Sequence, residues 1–365
     1  MKNINTYLKE YLYDFKSKSF NELDALALTW LSYFHIPKEL NNNESSVKII
    51  DLYNAKYFEE MTFDVTDRNN SLELLTRLAA NPRFRDLNIY FYEENTSKEN
   101  QKQFSAMTFD IGNDKHFVAY RGTDHSFVGW KEDLNMGYLK SIPSQEESKN
   151  YLNKVMQNTS GNIIVGGHSK GGNLAVFASC FIDNKYKKRI EAIYNFDGPN
   201  LRKEKAKTRE YKSMSKNIIK FVPQGSIVGM IFETTNDYNI VKSNTIGVLQ
   251  HTPFTWEVDK TKFKTIKDNS LDSKSFRVGL NSLVENLSED ELKLFANAIY
   301  GIVENAESDT VENLIKNANK DLPKIFSGIK NLTEDQKKVI SKVTNLYIKN
   351  SFGNTIDTIK KTIKK

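Results

Sequence analysis

Apolar positions along the chain fall into three textures. Near the start they are crowded. Asn21-Glu22-Leu23-Asp24-Ala25-Leu26-Ala27-Leu28 runs into Trp30-Leu31 and Tyr33-Phe34, a set too dense for a purely exposed helix. A second helix is predicted over Ser71-Leu72-Glu73-Leu74-Leu75-Thr76-Arg77-Leu78-Ala79, stopped by Asn81-Pro82. From about residue 88 the texture changes to short β-like runs: NIYFYE, FSAMTFDI, HFVAYRG, NIIVGG, IEAIYNFDG and NIIKFVP. Between them, Gln145 to Gln157 and Gly172 to Ile182 are long enough for helices. Strands alternating with helices predict an α/β fold, a largely parallel sheet covered on both faces. The tracts IVGMIFE, NIVKSN and TIGVLQH read as further strands near a sheet edge.

After about residue 261 the pattern is helical again. Ser288-Glu289-Asp290-Glu291 is a capping-box sequence ahead of LKLFANAIYGIV. Thr333-Glu334-Asp335-Gln336 repeats it before a helix with Val339, Ile340, Val343, Leu346 and Tyr347 on one face. The expected organisation is an N-terminal helical part over 1–87 packed on the core, a core over 88–260, and a C-terminal helical appendage with a basic tail over 261–365.

Composition narrows the picture. Of 365 residues, 39% are hydrophobic and 27% charged, which suits a globular protein with a real core. No apolar run approaches the roughly 20 residues of a membrane span, and the start of the chain lacks a signal peptide's apolar core. The single cysteine, Cys180, excludes a disulfide framework and a Cys-based zinc site. These features lead to the expectation of a cytoplasmic protein. Residues 331–365 hold eight lysines against three acids, so +5 of the net +6 lies in the tail. The body is nearly neutral and has no interleaved basic and aromatic patch for nucleic acid. The tail suits either a solvated helix face or peripheral contact with an anionic membrane.

The candidate chemistry centres on IIVGGHSKGGNLAV, residues 163–176. A phosphate-binding P-loop needs Lys and a hydroxyl residue after its last Gly; here Lys170 precedes the Gly pair and Asn173 follows it. Gly167-His168-Ser169-Lys170-Gly171 instead satisfies G-x-S-x-G, the nucleophile elbow between a strand and a helix. Glycines two before and two after the Ser relieve the crowding of so tight a turn. A nucleophilic Ser needs a base. His35 sits in the apolar N-terminal helix, His116 begins a strand, His125 follows RGTD where it could line a pocket, and His168 inside the elbow should point away from the hydroxyl. His251, in Leu249-Gln250-His251-Thr252-Pro253-Phe254, lies beyond the core strands and is the candidate base.

An acid is expected between Ser169 and His251. Asp197, in Tyr194-Asn195-Phe196-Asp197-Gly198-Pro199, leads, although a Gly-Pro turn alone also favours Asp there. Glu233 and Asp237 are its rivals. Oxyanion donors are expected from the backbone N–H of Lys170 and from Thr123, through its N–H and its hydroxyl, in Tyr120-Arg121-Gly122-Thr123-Asp124.

Those residues, with Trp130, Asp133-Leu134 and Gly167 to Gly172, resemble the class 3 (fungal-type) lipases. More closely, FNELDALALTWLSYF, NPRFRD and the tract from NFDGPN through VPQGSIVGM to QHTPFTW resemble an uncharacterised bacterial lipase-like branch of that group. The likeness spans roughly residues 20 to 300. It implies an α/β-hydrolase fold, with Ser169 as nucleophile, His251 as base and Thr123 with Lys170 as oxyanion donors. It implies no metal or organic cofactor, and an ester or lipid substrate such as an acylglycerol or phospholipid. One departure stands out. Many class 3 lipases carry their acid just before a Val-Pro pair on the strand after the NFDGPN position. Pro223-Gln224-Gly225-Ser226-Ile227-Val228 has no carboxylate there. Pancreatic-type lipases take the acid one strand earlier, in a setting similar to Phe196-Asp197-Gly198. The departure also leaves room for a binding or scaffolding protein on a retired hydrolase fold.

Overall fold

The computed structural model describes residues 1–41, 46–124, 126–270, 286–304 and 330–346, together with 273, 277–279, 281 and 327–328. Eleven strands are formed among them: β1 (Val47–Lys48), β2 (Asn88–Ser97), β3 (Lys102–Gly112), β4 (Lys115–Tyr120), β5 (Asn162–His168), β6 (Ile190–Phe196), β7 (Ile218–Pro223), β8 (Asn239–Val241), β9 (Val258–Asp259), β10 (Lys262–Phe263) and β11 (Thr265–Ile266). Nine build one sheet in the order β1-β2-β3-β4-β5-β6-β7-β8-β11, and β9 and β10 pair separately. The centre, β4 to β8, is parallel. Antiparallel strands flank it on both sides. With helices on both faces, this is the α/β-hydrolase arrangement.

Alternation along the central strands creates two cores. In β4, Phe117 and Ala119 face one side of the sheet, Val118 and Tyr120 the other. In β5, Ile164 joins the first side while Ile163 and Val165 join the second. The second side is covered by the helices Pro143–Asn158 and Lys170–Phe181, through Tyr151, Leu152, Leu174 and Phe177.

The first side is covered by the N-terminal segment. There the helix Glu22–Leu31 is buried from Leu23 to Leu31, as its apolar density requires. Asn21 caps it, accepting from the Leu23 and Asp24 N–H groups, while the Asp24 carboxylate accepts from the Asn21 N–H. The helix ends before Tyr33 and His35: Tyr33 lies in the turn that follows, and His35, expected within the helix, lies just past that turn with its N–H on the Met61 carbonyl.

Two expected edge strands are not strands. IVGMIFE holds a 3-10 turn at Val228–Met230, with Phe232 at φ 56°, and wraps around Asp197 instead of joining the sheet. TIGVLQH becomes the 3-10 turn Gly247–His251, which opens on Gly247 at φ 58° and leaves Ile246 and Leu249 exposed. Of the three tracts, NIVKSN alone supplies a sheet strand, β8. The edge strand β11 lies past residue 261, where the helical texture was expected to begin.

Both C-terminal capping boxes form. Ser288 and Glu291 exchange bonds at the start of the helix Glu289–Glu304, and Thr333 and Gln336 do so before the helix over 334–346. Leu287, Val339 and Val343 make a small core of their own. The helix Glu289–Glu304 also lies against the helix Phe127–Asn135, where Lys131 hydrogen-bonds Asn297. Among the described residues no helix is long and apolar enough to cross a membrane. Tyr347 and most of the basic tail lie outside the described residues, as does His125.

Candidate active site

Ser169 sits between β5 and the helix Lys170–Phe181 at φ 58° and ψ −131°, a conformation that a non-glycine residue holds only when its surroundings enforce it. They do so at close quarters. A Cβ on Gly167 would collide with the Gly171 carbonyl, and one on Gly171 with the Tyr120 carbonyl. The Ser169 N–H is anchored to the Phe196 carbonyl at 3.0 Å, while the residue itself stays partly open to solvent. The Lys170 N–H stands in the first turn of the helix, where the backbone has no preceding helical carbonyl to bond.

Asp197 follows β6 and is also held at positive φ, 51°, with its N–H on the Phe221 carbonyl at 2.8 Å. Its Oδ2 accepts from His251 Nδ1 at 2.7 Å. Its Oδ1 accepts from the Ser226 hydroxyl and from the Gly229 N–H at 3.2 Å. The carboxylate is buried with every face occupied, while His251 keeps 26% of its side chain exposed. With Nδ1–H bonded to Asp197, the lone pair of His251 is on Nε2.

The rival acids lie elsewhere. Buried Glu233 pairs with Lys220 Nζ at 2.8 Å and accepts from the N–H and hydroxyl of Thr235. Asp237 is exposed. Ser226 is the residue that sequence reasoning missed. It stands in the tract where class 3 lipases carry their acid, and here it donates to the acid from the strand before.

Thr123 follows β4, but its hydroxyl differs from expectation. The Oγ1 proton goes to Asp133 Oδ2 at 2.6 Å, leaving the backbone N–H of Thr123 as the donor that loop can offer. Burial pushes the Asp133 carboxyl up to about 6, against the opposing pull of Lys170 and Thr123. Lys170 turns its side chain inward. Its Nζ reaches Gln103 O at 2.8 Å, Gln103 Oε1 at 2.6 Å and Glu132 Oε2 at 3.0 Å, all in the interior. The lysine of the elbow thus props the helix Phe127–Asn135 against β3 and presents no charge to the cleft. Beside it, Arg121 lies 2.7 Å from Glu94, which also bonds His35.

The Mbeg1-like family model matches residues 78–301, more than half of the chain. Among solved structures, the chain is similar to the crystal structure of M37 lipase at 16% identity and a TM-score of 0.33, over 56% of this chain and 67% of that one. No curated protein matches the chain.

Proposed function

From a chain that belongs to the Mbeg1-like family, we propose a serine hydrolase that cleaves carboxylic esters through an acyl-enzyme. The observation that carries this reading is the 2.7 Å contact between Asp197 and His251, beyond the same ends of the parallel strands as Ser169, which is partly open to solvent. His251 Nε2 takes the Ser169 proton as Oγ attacks the ester carbonyl. Asp197 holds the ring by its Nδ1–H and stabilises the imidazolium that forms. The N–H groups of Lys170 and Thr123 receive the oxyanion. The intermediate collapses, His251 gives its proton to the departing alcohol, and water cleaves the acyl-enzyme by the same steps in reverse.

Three exposed apolar side chains favour an ester with an apolar acyl part, such as an acylglycerol or phospholipid. Trp130 lies just after the Thr123 loop, and Ile246 and Leu249 lie just before His251. The scaffolding alternative expects a His251 that no carboxylate reaches, and Asp197 reaches it.

The reading is tested by treating purified protein with a fluorophosphonate probe and a panel of esters of increasing chain length. Labelling at Ser169, with hydrolysis abolished in Ser169→Ala, is expected. Absence of both would overturn the proposal.

A further inference from the structure

We propose that Tyr33 and His168 form a positioning arm, through which the N-terminal segment sets the place of the His251 backbone relative to Ser169. Its kinetic consequence rests on the hydrolase reading above; its geometry does not.

The arm starts from the residue beside the nucleophile. His168 closes β5 and turns its ring to the side of the sheet covered by the N-terminal helices. There it lies edge-on to Trp30 at 5.3 Å and tilted against His251 at 4.5 Å. Its Nε2 is 2.9 Å from the carbonyl oxygen of His251. A carbonyl only accepts, so Nε2 carries the proton and Nδ1 carries the lone pair. The hydroxyl of Tyr33, 2.9 Å from Nδ1, is therefore the donor there; the His168 carbonyl lies farther off, at 3.5 Å.

On its other side the Tyr33 oxygen packs against the backbone of Gly122, one residue before Thr123. The approach is close enough that a Cβ on Gly122 would run into that oxygen. Directions follow in sequence: Tyr33 O–H to His168 Nδ1, then His168 Nε2–H to the His251 carbonyl. Tyr33 and His168 are buried, so the bond between them is shielded from water, and it polarises the His168 N–H that meets the His251 carbonyl. Burial, reinforced by the neighbouring His251, lowers the His168 pKa well below its ordinary value, and the ring stays neutral with one donor and one acceptor.

The arm links parts that chain order separates. The loop of the proposed oxyanion donor, the residue preceding the nucleophile and the backbone of the proposed base meet through one side chain from outside the parallel sheet. The turn carrying His251 has further anchors, Trp256 Nε1 on the Gln250 carbonyl at 2.7 Å and the Gly225 N–H on Gln250 Oε1 at 2.9 Å. Among the described residues, the His168 bond is the one hydrogen bond that ties it to β5.

Two measurements test the arm. Imidazole ¹⁵N NMR of the full-length wild type should find His168 neutral with its proton on Nε2, and Tyr33→Phe should lose that preference. Fluorophosphonate labelling of Ser169 in Tyr33→Phe should slow by roughly tenfold to a hundredfold, the scale of an ångström-sized misplacement. For ester turnover, kcat should fall while KM changes little. His168→Gln, whose amide can still donate to the His251 carbonyl, should label faster than His168→Phe, which fills the space and donates nothing.

A His168 proton on Nδ1 in the wild type, or equal labelling of the Gln and Phe variants, would overturn the arm. Wild-type protein that never labels would sink the hydrolase reading instead, and the NMR result would still decide this one.

Discussion

Two carboxylate contacts in this molecule are alike in length and differ in how far each partner is enclosed. Asp24 Oδ2 meets Arg83 at 2.6 Å, and Asp197 Oδ2 meets His251 at 2.7 Å. Around Asp24 no donor is left over. Arg83 places Nε and one terminal nitrogen on the carboxylate and bonds the carbonyls of Tyr13, Lys18 and Ser19 as well. Tyr7 and the Asn21 N–H complete the acid, and Phe15 stacks under the guanidinium at 3.9 Å. Neither side chain is exposed. Around Asp197 the carboxylate is equally enclosed, but its partner is not: His251 bonds through Nδ1, keeps 26% of its side chain exposed and has no partner on Nε2 among the described residues. A sealed pair can only hold the fold together. A pair with one unoccupied nitrogen can move a proton.

The sharpest way to break this comparison is to neutralise each acid in turn. Asp197→Asn keeps the shape but removes the charge that fixes the His251 tautomer. An activity loss of about 10⁴-fold in kcat is expected, with little change in melting temperature. Ester turnover together with a thermal melt checks it, and a variant with near-wild-type turnover would remove Asp197 from the site. Asp24→Ala should do the reverse. It strands a buried guanidinium and should cost about 3–5 kcal/mol of stability, with activity per folded molecule unchanged. Urea unfolding followed by active-site titration separates the two quantities.

What could be read from the sequence follows from how local each signal is. The elbow was legible because its constraints lie within five residues, Gly167 to Gly171, and the steric contacts of those glycines answer to that spacing. The βα alternation was legible for the same reason. The acid was not settled, because nothing near Asp197 says that His251, 54 residues later, will fold against it. Ser226 and Gly229 were less legible still. IVGMIFE has a strand's apolar content, but its Gly229 N–H turns to the buried Asp197 carboxylate, and those of Met230, Ile231 and Glu233 bond carbonyls within the tract itself. Lys170 and Thr123 show a related limit. The sequence placed both beside the nucleophile, but only the packing of Glu132 and Asp133 decides where the ammonium and the hydroxyl point.

His35 gives a smaller and cleaner contrast, because it is the same residue type as His251 with no nitrogen to spare. Its Nε2 lies 2.6 Å from Asp64 and its Nδ1 2.9 Å from Glu94. Burial opposes a charge there, but the two carboxylates outweigh it and raise His35 to about 9. Glu94 is likewise penalised by burial, yet His35 and Arg121 hold it at about 2. A raised histidine contributes stability that is complete below its unfolded value near 6.5 and is lost as pH rises through 9. Unfolding free energies at pH 6 and pH 10 should therefore differ by about 2–3 kcal/mol more in the wild type than in His35→Gln. If the two proteins show the same difference, the imidazolium between Asp64 and Glu94 is not formed.

The smallest expected effect bears most directly on what separates the sealed Asp24 from Asp197 as the proposed catalytic acid. Ser226 donates to the Asp197 oxygen that His251 does not use, and the Gly229 N–H donates to the same oxygen. Removing the hydroxyl in Ser226→Ala leaves that oxygen with one donor instead of two, at a cost of about 1–1.5 kcal/mol, the value of one buried hydrogen bond. That loss can fall on stability, on catalysis, or on both. If Ser226 merely satisfies a buried oxygen, as Tyr7 does for Asp24, the melting temperature drops and kcat stays put. If it holds the carboxylate at the angle His251 needs, kcat falls by roughly tenfold while KM is unchanged. Ser226 belongs to a turn bonded to Ser273 through its carbonyl, and that backbone tie survives the substitution. The turn is thus kept in place, and the second outcome is the expected one. Steady-state kinetics of Ser226→Ala beside its thermal melt decide between them.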